Sequence, residues 1–312
     1  MSYLIKRQPN GSFALHNPAL RETMHPGIGP WQEATELYVK ASGLEQLLAP
    51  RGKKSGGTFS QELVVFDVGL GGAANSLAAL SARKALAAGG KPVPPLRIVS
   101  FEQDLEPLRL ALEGAEQLRY PVGFETPLEG LLTQGRWEGD GVVWELRMGD
   151  FNRLLEEEPQ RADVVFYDPF SPRSNPEAWS VGTLTRLFGC RRPGGDTVVV
   201  TYSSSIATRA AFLLAGFYVG RGPASGKAHQ TTVAATRFSL LEFPLNRLWL
   251  ADWKRDGMPW PALTRPEDHR AVRKSLLAHN QWDQFPPGEE PAYKPVSPHT
   301  RPVGKGYKRK PR

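Results

Sequence analysis

Short apolar runs alternate with helix-like stretches along most of the chain. Runs rich in Val, Ile, Leu and Phe predict buried strands, which fall at residues 63–68, 96–101, 142–148, 163–167, 197–202, near 217 and at 233–241. Parallel strands need crossover connections, so repeated strand–helix units favour a parallel sheet with helices on both faces. We therefore expect an α/β fold: a doubly wound, mostly parallel, seven-stranded sheet with ligands at the carboxyl ends of its strands.

The stretches between these runs carry helix signals. Segments at 73–88 and 105–118 predict helices from their apolar spacing. Asn-Pro-Glu at 175–177 predicts a third helix, because Asn caps a helix, Pro suits its first position and an acid suits its positive end. This helix is predicted to end near Gly189. Serines at 203–205 predict the cap of a fourth helix, which runs to Ala215.

Composition divides the chain into four segments. Residues 1–60 form an N-terminal lead segment, and residues 61–243 form the core with the alternating pattern. Residues 244–291 are predicted to be an irregular Trp/Pro-rich appendage whose aromatic side chains mostly pack on the core; nucleotide stacking is the alternative role. Residues 292–312 form a tail rich in Lys, Arg, Pro and Gly.

The excess positive charge lies in this tail. The 312 residues include 39 Lys or Arg against 32 Asp or Glu, a formal net charge of +7. The seven basic residues between 292 and 312, with no acid among them, account for the whole excess. Such a segment is too polar to pack and is predicted to be disordered when free. It is either a solubilising end or an arm for an anionic polymer.

Composition also excludes several classes of protein. Hydrophobic residues make up 40% and charged residues 23%, as in soluble globular proteins. The apolar runs are too short for a membrane span, and the first residues lack the apolar stretch of a signal peptide. The one cysteine, Cys190, cannot form an internal disulfide, and no Cys/His cluster has zinc spacing. We therefore expect a cytoplasmic protein that binds neither a membrane nor a metal.

A glycine-rich turn follows the first strand of the core. Asp67 lies in the strand, and Gly69 and Gly71 follow it just before a helix. Glycines let a backbone approach a ligand closely, and a helix N-terminus favours negative groups. The dinucleotide fingerprint would need glycine at position 74, where Ala74 stands, and no Gly-Lys-Ser/Thr follows. Two interpretations stay open: a simple tight turn, or a loop that receives the amino-acid end of S-adenosyl-L-methionine at Asp67, Gly69 and Gly71.

Acidic residues lie at the ends of the next two strands. Glu102 ends the second strand, where a carboxylate can accept hydrogen bonds from both ribose hydroxyls of the cofactor. Asp150 follows the third strand, where it can reach the adenine amino group. Either carboxylate alone is commonly a solvated loop residue. Together with the glycine turn, they favour a cofactor site built from three successive strand ends.

Asp168 begins a proline-rich loop, DPFSP, after the fourth strand. If the cofactor donates its methyl group to an amine, the Asp168 carboxylate can hold the N–H groups of that amine and aim the nitrogen lone pair at the methyl group. It can also take up the proton that the amine releases. Phe170 can flank the substrate. The order Asp-Pro-Phe is similar to the Asp/Asn-Pro-Pro-aromatic motif of amino-group methyltransferases, which favours nitrogen as the acceptor. A plain turn with Phe170 as an apolar plug is the alternative.

Longer motifs extend this comparison to one family. They are RETMH at 21–25, WQEA at 31–34, DVGLGGAANSL at 67–77, SFEQDLEPL at 100–108, MGDFN at 148–152, DPFSPRSNPEAW at 168–179 and RRPGGDTVVVTYSSS at 191–205. In these motifs, residues 13–236 resemble the methyltransferase domain of the bifunctional tRNA 5-methylaminomethyl-2-thiouridine biosynthesis proteins and its stand-alone versions.

The resemblance implies a Rossmann-like, S-adenosyl-L-methionine-dependent methyltransferase fold. It also implies transfer of a methyl group to an aminomethyl group on the wobble uridine of tRNA. Asp168 falls at the family's reaction centre with Phe170 beside it, and Glu33 matches an acid near the active site, where we expect it to bind substrate. The positions that fall on the family's cofactor contacts are Gly69, Gly71, Glu102 and Asp150.

Three positions and one segment depart from the family pattern. Ala73 replaces the third glycine of the loop, Pro169 replaces the glycine of Asp-Gly-Phe, and Met24 replaces the usual tyrosine. Residues 224–232 match the family's basic segment only in part. These departures keep two alternatives open: a methyltransferase for another amine, on a protein or small molecule, and a non-catalytic domain that binds RNA or a partner. The absent dinucleotide pattern disfavours an oxidoreductase.

The resemblance also implies partners. We expect tRNA to contact the basic tail and the active-site face. The sequence contains nothing similar to the flavin-binding oxidase domain of the bifunctional proteins, so we expect no FAD. A separate oxidase would then provide the aminomethyl precursor.

Overall fold

The computed structural model describes residues 3–49, 62–90, 92–224, 230–255, 257 and 259–285; the basic tail predicted at 292–312 lies outside the described residues. The strands are β1 (Leu4–Arg7), β2 (Phe13–Asn17), β3 (Glu22–Thr23), β4 (Leu63–Val68), β5 (Leu96–Glu102), β6 (Arg136–Gly139), β7 (Val142–Met148), β8 (Val164–Tyr167), β9 (Val198–Thr201), β10 (Tyr218–Ala224) and β11 (Gln230–Ala235).

These strands form a small antiparallel sheet, β1-β2-β3, and a large sheet in the order β10-β11-β9-β8-β4-β5-β7-β6. Strands β9, β8, β4, β5 and β7 run parallel, and β6, β10 and β11 pair antiparallel. The chain passes from β4 outward to β5 and β7, then returns to the other side of β4 for β8 and β9. The crevice between the ends of β4 and β8 is where doubly wound sheets bind ligands. The predicted α/β, doubly wound, mostly parallel fold is confirmed.

The large sheet has eight described strands, so the prediction of seven was wrong. The additional strand, β6, forms a hairpin with β7 and has alternately exposed positions in the sequence RWEG. A short edge strand needs no apolar run, which is why the hydrophobic pattern missed it. The last predicted strand, at 233–241, also differs: β11 ends at Ala235, and a 3₁₀ turn follows at Phe238–Leu240.

The helices cover both faces of the large sheet. A π-helix at Ala34–Lys40 follows α1 directly. The helix predicted at 105–118 is two helices, broken at Gly114. The α-helices are α1 (Pro30–Glu33), α2 (Leu44–Leu48), α3 (Ala74–Ala88), α4 (Glu106–Glu113), α5 (Ala115–Leu118), α6 (Glu125–Gln134), α7 (Phe151–Glu157), α8 (Val181–Gly189), α9 (Ile206–Leu214), α10 (Arg247–Arg255) and α11 (His269–Leu277).

Helix α8 begins later than its sequence signal. The Asn-Pro-Glu at 175–177 forms one turn, in which Asn175 Oδ1 accepts a hydrogen bond from Ala178 N. The chain is then extended at Ser180, whose Oγ accepts from Thr183 N and caps the helix. The predicted start at 175 was therefore wrong, because the same capping residues also stabilise an isolated turn. The predicted cap of α9 is confirmed, since Ser205 accepts from Thr208 N.

Two apolar clusters lie on opposite sides of the large sheet. Val65 and Phe166 belong to the first cluster, which also holds Leu37 and Tyr38 of the lead segment and the apolar face of α3. Alternate residues of β4 and β8 belong to the second cluster, with α8, α9 and the tryptophans of the appendage. The lead segment therefore shares the core of the sheet.

The segment after residue 244 is more regular than predicted, because it contains α10 and α11. Trp249, Trp253 and Trp282 are buried against the second cluster, as expected from the sequence. Trp260 is half-buried and stacks on His269. The division of the chain into four segments stays a prediction.

Within the described ranges, none of the helices has the length and apolarity to cross a bilayer. Nor do the described His, Cys, Asp and Glu side chains gather in a group of three that could hold a metal ion.

Candidate active site

The ends of β4 and β8 meet through Gly69. This residue has φ +84°, and a Cβ there would lie 2.6 Å from the backbone carbonyl oxygen of Asp168. Because a Cβ atom cannot approach a backbone oxygen so closely, only glycine lets the turn after β4 lie against the chain after β8. The predicted cofactor loop and the predicted reaction centre are therefore adjacent.

The glycine loop is held by the end of the neighbouring strand. Gly69 N donates to Phe101 O at 3.0 Å, and Gly71 N donates to Glu102 Oε2 at 3.0 Å. Ala73, the departure from the family's third glycine, has φ +66° and precedes α3. A left-handed alanine costs about 1–2 kcal/mol, so the loop keeps a glycine-like conformation without the glycine.

Asp67 lies beneath the loop and is fully buried. Its Oδ2 accepts from Ser76 Oγ at 2.6 Å and from Ser100 Oγ at 3.1 Å, while Oδ1 is buried without a hydrogen-bond partner. Burial raises the pKa of Asp67 to about 7, against the lowering effect of the two serines. An unpartnered buried oxygen beside a glycine loop fits an ammonium group, which the amino-acid end of S-adenosyl-L-methionine would supply.

Glu102 and Asp150 lie at the same edge of the sheet. The Glu102 carboxylate accepts from three backbone amides, those of Gly71, Gln103 and Asp104, at 3.0, 2.7 and 3.2 Å. Burial raises its pKa in spite of these bonds. Asp150 is exposed and caps α7 by accepting from Arg153 N at 3.1 Å. Both acids thus have local backbone partners, and their contacts with ribose and adenine stay predictions.

Asp168 is the acid at the carboxyl end of β8. Its Oδ2 accepts a hydrogen bond of 2.8 Å from the Asn75 side-chain amide, which comes from the first turn of α3. Burial raises the pKa of Asp168 to about 6, and His25 acts in the opposite direction. Asp168 can therefore be ionised at neutral pH and can also take up a proton there.

His25 joins the two predicted site acids. Its Nε2 lies 3.8 Å from Asp168 Oδ2, and its Nδ1 lies 3.4 Å from Glu33 Oε1. Burial alone would lower the pKa of His25, but the carboxylates of Glu33, Asp168 and Asp67 outweigh it and raise the pKa to about 8. The structure thus brings Glu33, predicted from the resemblance, next to Asp168.

The loop after Asp168 is fixed by the lead segment. Glu22 accepts from Ser171 N at 3.1 Å, from Ser171 Oγ and from Ser174 Oγ. Burial would raise the pKa of Glu22, but these hydrogen bonds outweigh it and lower the pKa. The half-buried Phe170 is anchored by its carbonyl, which accepts from Trp179 Nε1 at 2.8 Å. The loop is thus an ordered wall of the crevice, and contact between Phe170 and a substrate stays a prediction.

Sequence reasoning gave no role to Glu22, His25 or Asn75. All three lie within motifs that carried the resemblance, RETMH and DVGLGGAANSL. Their presence in these motifs was the available signal. Their partners, Asp168 and Ser171, lie far away in the sequence, so only the fold shows the contacts.

Comparison with known proteins agrees with this geometry. Residues 129–237 match a family model described as S-adenosyl-L-methionine-dependent methyltransferase. The tRNA 5-methylaminomethyl-2-thiouridine biosynthesis bifunctional protein MnmC of Cupriavidus necator is 27% identical over 71% of this chain and 33% of its own length. MnmC of Polaromonas naphthalenivorans is 29% identical over 67% of this chain and 32% of its own length. The chain thus spans about a third of the length of these curated relatives.

The crystal structure of MnmC2 from Aquifex aeolicus shares the fold. It superposes with a TM-score of 0.62 at 23% identity, covering 91% of this chain and 87% of the other. The chain thus shares its fold with MnmC2, residues 129–237 match S-adenosyl-L-methionine-dependent methyltransferases, and about two thirds of the chain is similar to part of the MnmC proteins.

Proposed function

We propose that this protein methylates the amino group of an aminomethyl substituent on the wobble uridine of tRNA. The observation that carries the proposal is the position of Asp168: a carboxylate fixed by Asn75, with its own backbone against Gly69 of the cofactor loop. An acceptor for amine N–H groups thus lies next to the predicted place of the methyl donor.

The cofactor part of the proposal assigns contacts to five residues. The unpartnered Oδ1 of Asp67 would accept from the amino group of the cofactor, and the backbone of Gly69 and Gly71 would line its amino-acid end. Glu102 would accept from the ribose hydroxyls, and Asp150 would accept from the adenine amino group. When bound, the cofactor supplies an electrophilic methyl group and leaves as the neutral thioether.

In the proposed reaction, Asp168 accepts an N–H of the substrate amine and aims the nitrogen lone pair at that methyl group. The new N–C bond forms as the C–S bond breaks, and the nitrogen must then lose one proton. Asp168 takes up this proton, which its pKa of about 6 permits before release to solvent. Phe170 and Glu33 would line the substrate side of the crevice.

An RNA partner is supported by exposed charge on α11. Arg270, Arg273 and Lys274 lie on one face of this helix at spacings of three and four residues and are exposed. None of the three pairs with an acid among the residues that the structure describes. Three neighbouring cations fit successive phosphates of an RNA backbone. We also propose that the tail at 292–312 and the active-site face contact the RNA. A separate oxidase would provide the aminomethyl group, and the protein would act in the cytoplasm.

The direct test is methyl transfer in vitro. Purified protein is incubated with labelled S-adenosyl-L-methionine and tRNA that carries aminomethyl-2-thiouridine, and digested nucleosides are identified by mass spectrometry. We expect one added methyl group on the aminomethyl nitrogen, and none on tRNA with unmodified uridine. Labelling of a protein or a small amine in preference to this tRNA would overturn the proposed substrate; cofactor binding without any transfer would favour a binding domain.

A further inference from the structure

His25 occupies an unusual place for a histidine in the lead segment. Its side chain is only 11% exposed and lies between two acids from distant parts of the chain, Glu33 and Asp168. Glu33 is itself almost fully buried. The nitrogens of a buried ring need polar partners, and these two carboxylates lie 3.4 and 3.8 Å from them.

The backbone holds the ring in this place under strain. His25 has φ +51°, a left-handed conformation that is uncommon for residues other than glycine. Gln8 fixes it from both sides: its Nε2 donates to His25 O at 3.2 Å, and its Oε1 accepts from Gly27 N at 2.8 Å. A strained residue held by dedicated hydrogen bonds indicates that the position of its side chain matters.

His25 is the only described basic group that pairs with these two acids. The groups that face it are Glu33 from α1, Asp168 after β8 and Asp67 from β4; the Tyr38 ring of the π-helix lies beside Asp168. Among the described residues, no Lys or Arg forms an ion pair with Glu33 or Asp168. Without a cation, the Glu33 carboxylate would raise the pKa of Asp168 further, and Asp168 would tend to hold a proton.

We propose that His25 is a positioning residue for methyl transfer: as an imidazolium between Glu33 and Asp168, it keeps the Asp168 carboxylate ionised and aimed at the acceptor amine. The inference rests on the proposed function, because it concerns the ionisation of the group that holds the amine. His25 acts through Asp168 and does not touch the reacting atoms. A protonated Asp168 would accept the amine N–H more weakly and could not take up the released proton, so the imidazolium sets the lower pH limit of activity.

The test compares pH profiles of methyl transfer by the wild type and His25→Gln, which removes the charge and keeps a polar side chain. An opposite charge at this distance lowers a carboxyl pKa by roughly one unit or more. The acidic limb of kcat should therefore move up by about one pH unit, and activity at pH 7 should fall roughly twofold. Above about pH 9 the two proteins should converge, because wild-type His25 is then neutral. The substrate amine titrates in the same way in both assays, so it does not contribute to the difference between the two pH profiles.

The matched control is His16→Gln in β2, where His16 Nδ1 lies 2.9 Å from Thr23 Oγ1 and faces no site acid. It should leave the pH profile unchanged. If His25→Gln lowers kcat equally at all pH values, or lowers the affinity for S-adenosyl-L-methionine instead, the role is structural and the proposal is wrong.

A measurement without substrate separates this inference from the proposed function. Carboxyl-carbon NMR of wild-type protein should give an Asp168 pKa that rises in His25→Gln, and ring-carbon NMR should give a His25 pKa that falls in Glu33→Gln. If His25→Gln does not fold, the Glu33→Gln titration decides, since an unchanged His25 pKa would refute the coupling. If the titrations are coupled but aminomethyl tRNA is not methylated, the substrate assignment fails and the ion-pair network stands.

Discussion

The side-chain amide of Asn75 donates a hydrogen bond of 2.8 Å to Oδ2 of Asp168, and this bond joins the helix after the glycine loop to the loop after β8. The same helix begins where Glu102 holds the glycine loop through Gly71 N. The predicted donor site and the predicted acceptor site are therefore parts of one rigid edge of the sheet. Methyl transfer needs the methyl donor and the acceptor amine to be held at fixed positions relative to each other, since the reaction depends mainly on their alignment.

Asp168→Asn tests the acceptor. The amide keeps the size of the side chain but cannot take up a proton and presents only one acceptor oxygen. We expect methyl transfer to fall by roughly 10²–10⁴-fold, the usual contribution of a positioned general base, with cofactor affinity changed only a few-fold. Single-turnover kinetics and calorimetry measure the two effects separately. Near-normal turnover would remove Asp168 from the mechanism and favour the plain-turn interpretation.

Glu102→Ala tests the cofactor site. A lost hydrogen bond to a charged group should weaken S-adenosyl-L-methionine binding by about 1–3 kcal/mol. Glu102→Gln keeps an acceptor for Gly71 N, so a smaller loss in that variant would separate loop anchoring from direct contact with the ribose. Asp104→Ala, an exposed acid in the same loop, is the control and should bind normally. Unchanged calorimetric affinity in folded Glu102→Ala would contradict the assignment.

Gly69→Ala tests the contact between the ends of β4 and β8. The added Cβ would meet the Asp168 carbonyl, whereas at Gly123, which has the same φ of +84°, it would meet nothing within 4 Å. Gly123→Ala should therefore cost only the backbone strain, about 1–2 kcal/mol. Gly69→Ala should cost clearly more and also reduce cofactor binding, as measured by chemical denaturation and calorimetry. Equal losses of stability in the two variants would mean that contact between the added Cβ and the Asp168 carbonyl does not lower the free energy of unfolding.

The stability of the cofactor-free protein should fall as pH rises through neutrality. Burial raises the pKa of Asp67 from 3.8 to about 7, so the folded state binds its proton more tightly than the unfolded state does. The resulting stabilisation is complete below pH 3.8 and is lost as pH rises through about 7. The raised pKa of His25, about 8, acts in the same direction, with its contribution lost between about pH 6.5 and 8.

Asp67→Asn isolates the aspartate. It should flatten the dependence of Tm on pH between 5 and 8 and raise Tm at pH 8 relative to wild type, by roughly 2–4 °C for each kcal/mol regained. Asp104→Asn, at an exposed site, should leave the curve unchanged. Parallel curves for wild type and Asp67→Asn in thermal unfolding would show that Asp67 is ionised in the folded protein at both ends of this range.

The sequence predicted the central part of this fold because buried parallel strands are continuous apolar runs. Strand β6 has no such run: it is a polar edge strand, stabilised by pairing with β7. The signal at Asn175 predicted a helix start because the same residue caps a single turn equally well. The local sequence therefore predicted a capped turn at Asn175, but packing decided that the helix begins after Ser180.

The site was predictable as far as the ends of the strands. Glycine and acidic residues at successive strand ends lie together in any sheet of this topology, so Gly69, Glu102 and Asp168 could be grouped without a structure. The contact between Asp168 and His25 could not be predicted from the sequence, because the lead segment reaches the crevice only through its packing on the first apolar cluster. The same holds for Glu22, which is separated from Ser171 by 149 positions.

Variants in the basic face of α11 test whether the substrate is an RNA or a small molecule. Replacing Arg270, Arg273 and Lys274 by Ala should weaken tRNA binding and flatten its dependence on salt, because each phosphate contact releases counterions. Three contacts would lower the slope of log K against log salt by roughly two to three units. Transfer to a free aminomethyl nucleoside, where it is detectable, should be unchanged, because the helix lies outside the crevice.

A triple variant of Lys6, Arg7 and Lys84 to Ala is the matched control. It removes the same charge from exposed positions on β1 and α3, which pack against the opposite face of the large sheet. Filter binding at several salt concentrations should therefore show a reduced slope for the α11 variant alone. A chain cut before Ala292, which loses the seven basic residues of the tail, should add a further reduction if the tail contacts the same RNA. Equal slopes for the two triple variants would mean that the loss reflects net charge, and α11 would then have no place in tRNA recognition.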